Sequence, residues 1–216
     1  MKRLAFTALL AALQLPLAHV HAASLDEGVV ALQADWAVAK YRTAPDQQDK
    51  AFTVLTARAE ALVAENPGRA EPLVWEAIIV SSHAGATGGL GALGKVKKAR
   101  ELLEKAEKID PSTLHGSIYT SLGSLYYQVP GWPLGFGDHK KAEEYLKKAV
   151  AMNQDGIDPN YFYGDFLREE GRYQEAAQYL KKALAAPDRP GRTVADTGRR
   201  EEARQALAKV EAELKG

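Results

Sequence analysis

Cysteine is absent from all 216 residues. That excludes a disulfide framework, thiolate metal ligation and acylation of a cysteine at a processing site, and it asks for a core large enough to stand without covalent staples. Excess charge is missing too, since 28 basic side chains balance 28 acidic ones. A balanced surface has no general attraction for nucleic acid or anionic lipid, so neither is an expected partner. Nor is there an apolar run of membrane-spanning length. Leu4 to Leu17 is apolar but too short to cross a bilayer.

That short run has another reading. Lys2 and Arg3 precede it, Pro16 interrupts it near its end, and Val20-His21-Ala22 places small residues where a signal peptidase reads. Residues 1–22 are therefore expected to be a secretory signal cleaved after Ala22, with residues 23–216 released as a soluble periplasmic protein. Removing Lys2 and Arg3 leaves only a slight excess of acid.

Beyond the leader the pattern is helical throughout, and no strand is needed. Ser24 and Glu27 form a capping box ahead of an apolar face at Val29, Leu32, Trp36 and Ala39, which predicts a first helix ending near Tyr41. Further helices are expected over 51–65, 70–82, 95–108, 112–128 (capped by Ser112), 138–152 (capped by Asp138), 158–171 and 173–185. A ninth carries Ala203, Leu207, Val210 and Leu214 as one stripe. Short connections make neighbours antiparallel.

One small–large–small face is written three times, as Ala99/Leu103/Ala106, Ala142/Leu146/Ala149 and Ala176/Leu180/Ala183. Small residues flanking a leucine let another helix approach closely. Tyr163-Gly164, Leu167 and Gly171 precede the last set, Leu122-Gly123 and Tyr126 precede the middle one, and Pro111 follows the first. The middle and last sets are 34 residues apart. This arrangement resembles the tetratricopeptide repeat. The resemblance implies an all-α solenoid of about four antiparallel helical hairpins (about 24–67, 70–111, 114–154 and 157–190) with a capping helix over 193–215. It also implies a concave groove, lined by the inner helices, that holds a protein or peptide. Carried over position by position, groove residues are Glu76, Val80 and His83, then Thr120, Ser124 and Tyr127, then Tyr161, Asp165 and Arg168.

Two stretches are longer than the family's turns, His83 to Ala99 and Tyr127 to Ala142. Both are glycine-rich, and they are expected to be insertion loops on one edge, containing Gly89, Gly91 and Gly94 in the first and Trp132 and Phe136 in the second. A weaker similarity is to the T-component of TRAP transporters, which implies an alternative role as carrier of a hydrophobic small molecule, with Trp132 and Leu134 folding over a pocket.

Other motifs weigh less. Gly89-Leu-Gly91-Ala-Leu-Gly94 matches a dinucleotide fingerprint, but the second apolar strand of a parallel sheet is missing. Lys95, Lys97 and Lys98, and likewise His139, Lys140 and Lys141, follow glycine-rich stretches in an anion-receptive pattern. Glutamates spaced for i, i+4 pairing, such as Glu143 with Lys147, favour a solvated face instead. His83, His115 and His139 lack metal-ligand spacing, so no metal is expected, and no cofactor. Nothing marks a strained nucleophile turn, and no enzyme is expected. Arg189, Arg192, Arg199, Arg200 and Arg204 crowd the join to the last helix, where they would receive an acidic partner or pair with Asp188, Asp196, Glu201 and Glu202.

Overall fold

A computed structural model describes residues 24–216; the expected signal segment with its cleavage after Ala22 lies outside the described residues. Nine α-helices and no strand occur among them: α1 Leu25–Tyr41, α2 Pro45–Glu65, α3 Ala70–Thr87, α4 Gly89–Ile109, α5 Ser117–Gln128, α6 His139–Met152, α7 Ile157–Glu169, α8 Tyr173–Ala185 and α9 Thr193–Glu213. Consecutive helices pair into four hairpins, and α9 follows the last.

The capping box forms at α1, where the Ser24 hydroxyl accepts from the Glu27 amide and the Glu27 carboxylate accepts from the Ser24 amide. Asp138 likewise accepts from the Lys141 amide and starts α6. Other starts differ from expectation. Pro45 is itself the first residue of α2, because its fixed φ suits that position and its missing N–H costs nothing there. Ser112 caps nothing: its hydroxyl donates to Asp110 at 2.7 Å. Leu114 (φ 52°), His115 (φ 49°) and Gly116 (φ 87°) then make a left-handed turn that delays α5 to Ser117.

The first glycine-rich stretch is not a loop. Gly88 (φ 65°, ψ −178°) and Gly89 (φ 58°) leave the right-handed helical region and separate two helices, so α3 extends to Thr87 and α4 begins at Gly89. Gly89, Gly91 and Gly94 therefore belong to α4. Glycine weakens a helix by about 1 kcal/mol per residue but does not forbid it, and the α3–α4 packing outweighs that cost. Lys95, Lys97 and Lys98 then lie past the first turn of α4, away from any exposed helix start.

The second stretch is a loop. Between α5 and α6, the Gly135 and Gly137 amides donate to the carbonyls of Gly131 and Pro130, and the Asp138 amide donates to that of Tyr126. Phe136 is pinned edge-on to Tyr126 at 5.5 Å and lies under the Arg100 guanidinium at 4.4 Å. Trp132 stands 90% exposed.

All nine residues of the three small–large–small sets are fully buried. Their close approach is visible at Gly123 and Gly164, where an added Cβ would lie 2.6 Å from Leu146 Cγ and 2.8 Å from Leu180 Cγ respectively. On α9 the buried stripe is Ala203, Ala206 and Val210, while Leu214 is exposed. Leu214 misses because α9 ends at Glu213 and Leu214 is its C-cap residue.

The inner helices do more than stack. Contacts run α1 to α3, α3 to α5, α5 to α7, α7 to α9 and from α9 back to α1. The first and last helices thus meet, and five inner helices form a closed ring with α2, α4, α6 and α8 outside. Ala195 of α9 belongs to the same apolar cluster as Trp36, Phe52 and Trp75. The seam is also polar: the Tyr41 hydroxyl donates to Glu202 at 3.1 Å, and Arg192 donates to Gln33 at 3.1 Å.

Candidate functional site

The ring surrounds a partly open cavity of about 410 Å³, within the range of small-ligand sites. Its wall takes Gln33 and Trp36 from α1, Trp75, Ile78, Ser81 and Ser82 from α3, and Ser117, Thr120, Ser121 and Ser124 from α5. Asp158 and Phe162 come from α7, and Arg189, Arg192 and Arg199 from the approach to α9 and α9 itself. The four α5 positions fall at i, i+3, i+4 and i+7, a single helix face of small hydroxyls. Leu114 and His115, both left-handed without being glycine, also line it. Such backbone costs about 1–2 kcal/mol per residue and persists only where surroundings enforce it.

The aromatic wall is ordered. Trp36 donates its Nε1–H to the Ser82 hydroxyl at 2.8 Å and meets Trp75 edge-on at 6.0 Å. Arg192 lies over the Trp75 ring, 5.2 Å from its centre.

A charge network forms the opposite corner. Asp158 accepts from Arg189 at 2.7 Å and from Arg199 at 2.8 Å, while Arg199 also donates to Glu202 at 2.6 Å. Burial alone would raise the Asp158 pKa; the Arg199 and Arg189 charges overcome that and hold it at about 2. Burial would lower the Arg199 pKa, yet the Glu202 and Asp158 carboxylates outweigh it and hold the guanidinium well above the usual arginine value. Burial, ahead of Glu202, pushes the Tyr41 hydroxyl pKa up, so it stays a neutral donor.

Of the residues expected in the groove, Thr120 and Ser124 line this cavity. Glu76, His83, Tyr127, Tyr161, Asp165 and Arg168 do not. Glu76 is buried against Lys98 of α4 at 2.7 Å, and His83 sits against Asp49 of α2 at 3.1 Å. The face of α3 that carries them turns toward the outer helices, and Ile78, Ser81 and Ser82 face the cavity instead, because two residues along a helix is about half a turn. Val80 is buried in the main core. Tyr127, Asp165 and Arg168 do come together: Tyr127 donates to Asp165 at 2.8 Å, and Arg168 donates to the same carboxylate at 2.8 Å. Burial, then Asp165, raises the Tyr127 pKa. Tyr161 lies beneath Arg199 at 4.6 Å, and burial lifts its hydroxyl to about 12.

The loop residues Trp132 and Phe136, with Leu134, are not part of the cavity wall, so the loop is no lid over it. Gly89, Gly91 and Gly94 are likewise outside it. The residues that sequence reasoning missed are Trp36, Trp75, Phe162 and the arginines' inward placement. The hydroxyl face of α5 was the available signal.

Residues 134–190 match the family model of the tetratricopeptide repeat. The fold is a tetratricopeptide-repeat α-solenoid. A thermophilic repeat protein of Thermus thermophilus is 19% identical and superposes with a TM-score of 0.56, covering 85% of this chain and 92% of that one. MamA from AMB-1 is 20% identical, covering 88% of this chain and 97% of that one, at a TM-score of 0.48. YrrB, described as having an unusual peptide-binding site, is 18% identical with 75% and 77% covered and a TM-score of 0.41. No curated protein matches the chain. Within this solenoid the matched segment runs from inside the second loop through α6 and the α7–α8 hairpin to the stretch before α9.

Proposed function

We propose that the chain is an exported, periplasmic adaptor that grips a protein partner by a short segment entering the ring cavity. A repeat solenoid is an interaction scaffold, and the cavity is the observation that carries the reading: every inner helix contributes to one wall that mixes indole and phenyl rings with hydroxyls and guanidinium groups. Such a mixture suits one peptide segment, whose side chains fill the apolar half while its backbone meets the hydroxyls. Export rests on Lys2, Arg3, the Leu4–Leu17 run and Val20-His21-Ala22. The test is crosslinking capture from periplasm with wild type and with Ser121→Phe, which fills the cavity. Loss of the wild-type partner from a variant that melts normally supports the reading. An unchanged catch overturns it.

A second reading, carriage of a small amphipathic molecule, is favoured by the α1–α9 contact, which closes the ring around the space. Mass spectrometry of solvent extracts from the purified protein tests it; a compound recovered from wild type and lost from Ser121→Phe is the expected result, and a clean extract counts against it.

A further inference from the structure

The five arginines around the start of α9 are not equivalent. Arg189 pairs with Asp158 at 2.7 Å and Asp196 at 2.6 Å, Arg199 with Asp158 at 2.8 Å and Glu202 at 2.6 Å, Arg200 with Asp188 at 2.7 Å, and Arg204 with Glu201 at 2.8 Å. Arg192 is the exception. Among the described residues no carboxylate lies within 4.0 Å of its guanidinium, whose one hydrogen bond is to the neutral Gln33 amide oxygen at 3.1 Å.

Two donors on this side of the cavity are idle. Arg192 Nε and Trp75 Nε1 are buried and meet no acceptor, although Trp75 itself is only 5% exposed. Buried donors are almost always satisfied, and a cation without a counter-ion is costlier still. Burial, then the neighbouring Arg189 charge, pulls the Arg192 pKa below the usual arginine value, and the more distant Asp158 and Asp196 carboxylates offset this only in part. Both costs fall if an anion arrives. The acids of the lining do not fill that place: Asp158 is held by two other arginines, and Asp155 is exposed at the rim without reaching Arg192.

Apolar surface stands beside the idle charge. Trp36, Trp75, Ile78 and Phe162 share the wall with Arg192, so the occupant must join a negative group to a nonpolar body. We infer that the ring cavity recognises a carboxylate attached to an apolar group, with Arg192 as its counter-ion. This rests on the cavity being the binding site. The chemistry is shared by a chain ending in an apolar residue and by a free carboxylic acid.

Isothermal calorimetry tests it with two matched pairs: 4-phenylbutyrate against 4-phenylbutyramide, and acetyl-Ala-Ala-Phe with a free C-terminus against the same peptide amidated. Each acid should bind about ten- to a hundredfold more tightly than its amide, the usual worth of a charge-assisted hydrogen bond. Arg192→Gln should abolish that preference, Arg192→Lys should retain part of it, and added salt should reduce it in wild type. A stronger peptide acid identifies a chain terminus as the source; a stronger free acid identifies a small molecule. Equal binding of acid and amide to wild type overturns the inference without any variant, as does a preference that survives in folded Arg192→Gln. Partner capture that depends on the cavity, combined with no acid preference, would leave the adaptor reading standing and remove this one.

Discussion

Asp158 shows how single residues set the behaviour of the site. Its pKa is lowered to about 2, below an unfolded aspartate near 4. A depressed carboxylate contributes stability that is complete above the unfolded value and disappears as pH falls through the folded one. Thermal midpoints should thus decline between about pH 4 and pH 2, with Asp158 contributing on the order of 2 kcal/mol. Asp158→Asn should melt lower than wild type at pH 7, because Arg199 is only 8% exposed and loses a partner, and the gap should close toward pH 2. A constant gap would count against the assignment. Glycines give a second residue-scale contrast. Gly164→Ala gains helix propensity but drives a methyl into Leu180, whose backbone nitrogen is 3.1 Å from the new Cβ; overpacking of about 1–3 kcal/mol wins, so urea unfolding should show net destabilisation. Gly85→Ala meets nothing within 4 Å inside α3 and should stabilise by about 0.5–1 kcal/mol. The reverse order would mean that α7 and α8 are not packed as described.

Element boundaries show what was legible in local sequence and what was not. Ser24 with Glu27 and Asp138 before α6 each carry their cap within four residues, so those starts could be read directly. The join of α3 and α4 could not. Glycine stands at 85, 88, 89, 91 and 94, yet only Gly88 and Gly89 have positive φ, and which glycine takes the break is decided by packing between the helices rather than by composition. The left-handed turn at Leu114 to Gly116 was hidden for a related reason, since leucine and histidine give no local sign of it. The loop between α5 and α6 separates anchoring from exposure. Phe136 is held by Tyr126 and Arg100, whereas Trp132 is 90% exposed. Trp132→Ser should change unfolding free energy by no more than about 0.5 kcal/mol, and Phe136→Ala should cost clearly more, because only the second removes contacts made in the folded state. Equal losses would show that Trp132 is covered.

At the scale of the whole molecule, hairpin stacking was legible and ring closure was not. Stacking follows from a face repeated every few tens of residues. Closure depends on Tyr41 meeting Glu202 and Arg192 meeting Gln33, pairs separated by 161 and 159 positions, and no periodicity announces them. The same gap explains why most residues carried over from the repeat pattern lie off the cavity wall: Glu76 and His83 meet outer helices, and Tyr127, Asp165 and Arg168 join one another near the ends of α5 and α7. Closure gives α9 two jobs, covering the last hairpin and sealing against α1. These can be separated at Gly198, where an added Cβ would fall 2.4 Å from Tyr41 Cγ and Cδ1. The base of the tyrosine ring cannot swing away without moving α1, so Gly198→Val should part the seam while Ala203, Ala206 and Val210 still bury against the rest. Hydrogen exchange should then accelerate in α1 and at the start of α9, acrylamide should quench Trp36 and Trp75 more strongly, and α5 to α8 should keep their protection. Uniform acceleration would instead mean that the seam and the stack fold as one cooperative unit, and unchanged exchange would mean that α1 and α9 do not meet at this glycine.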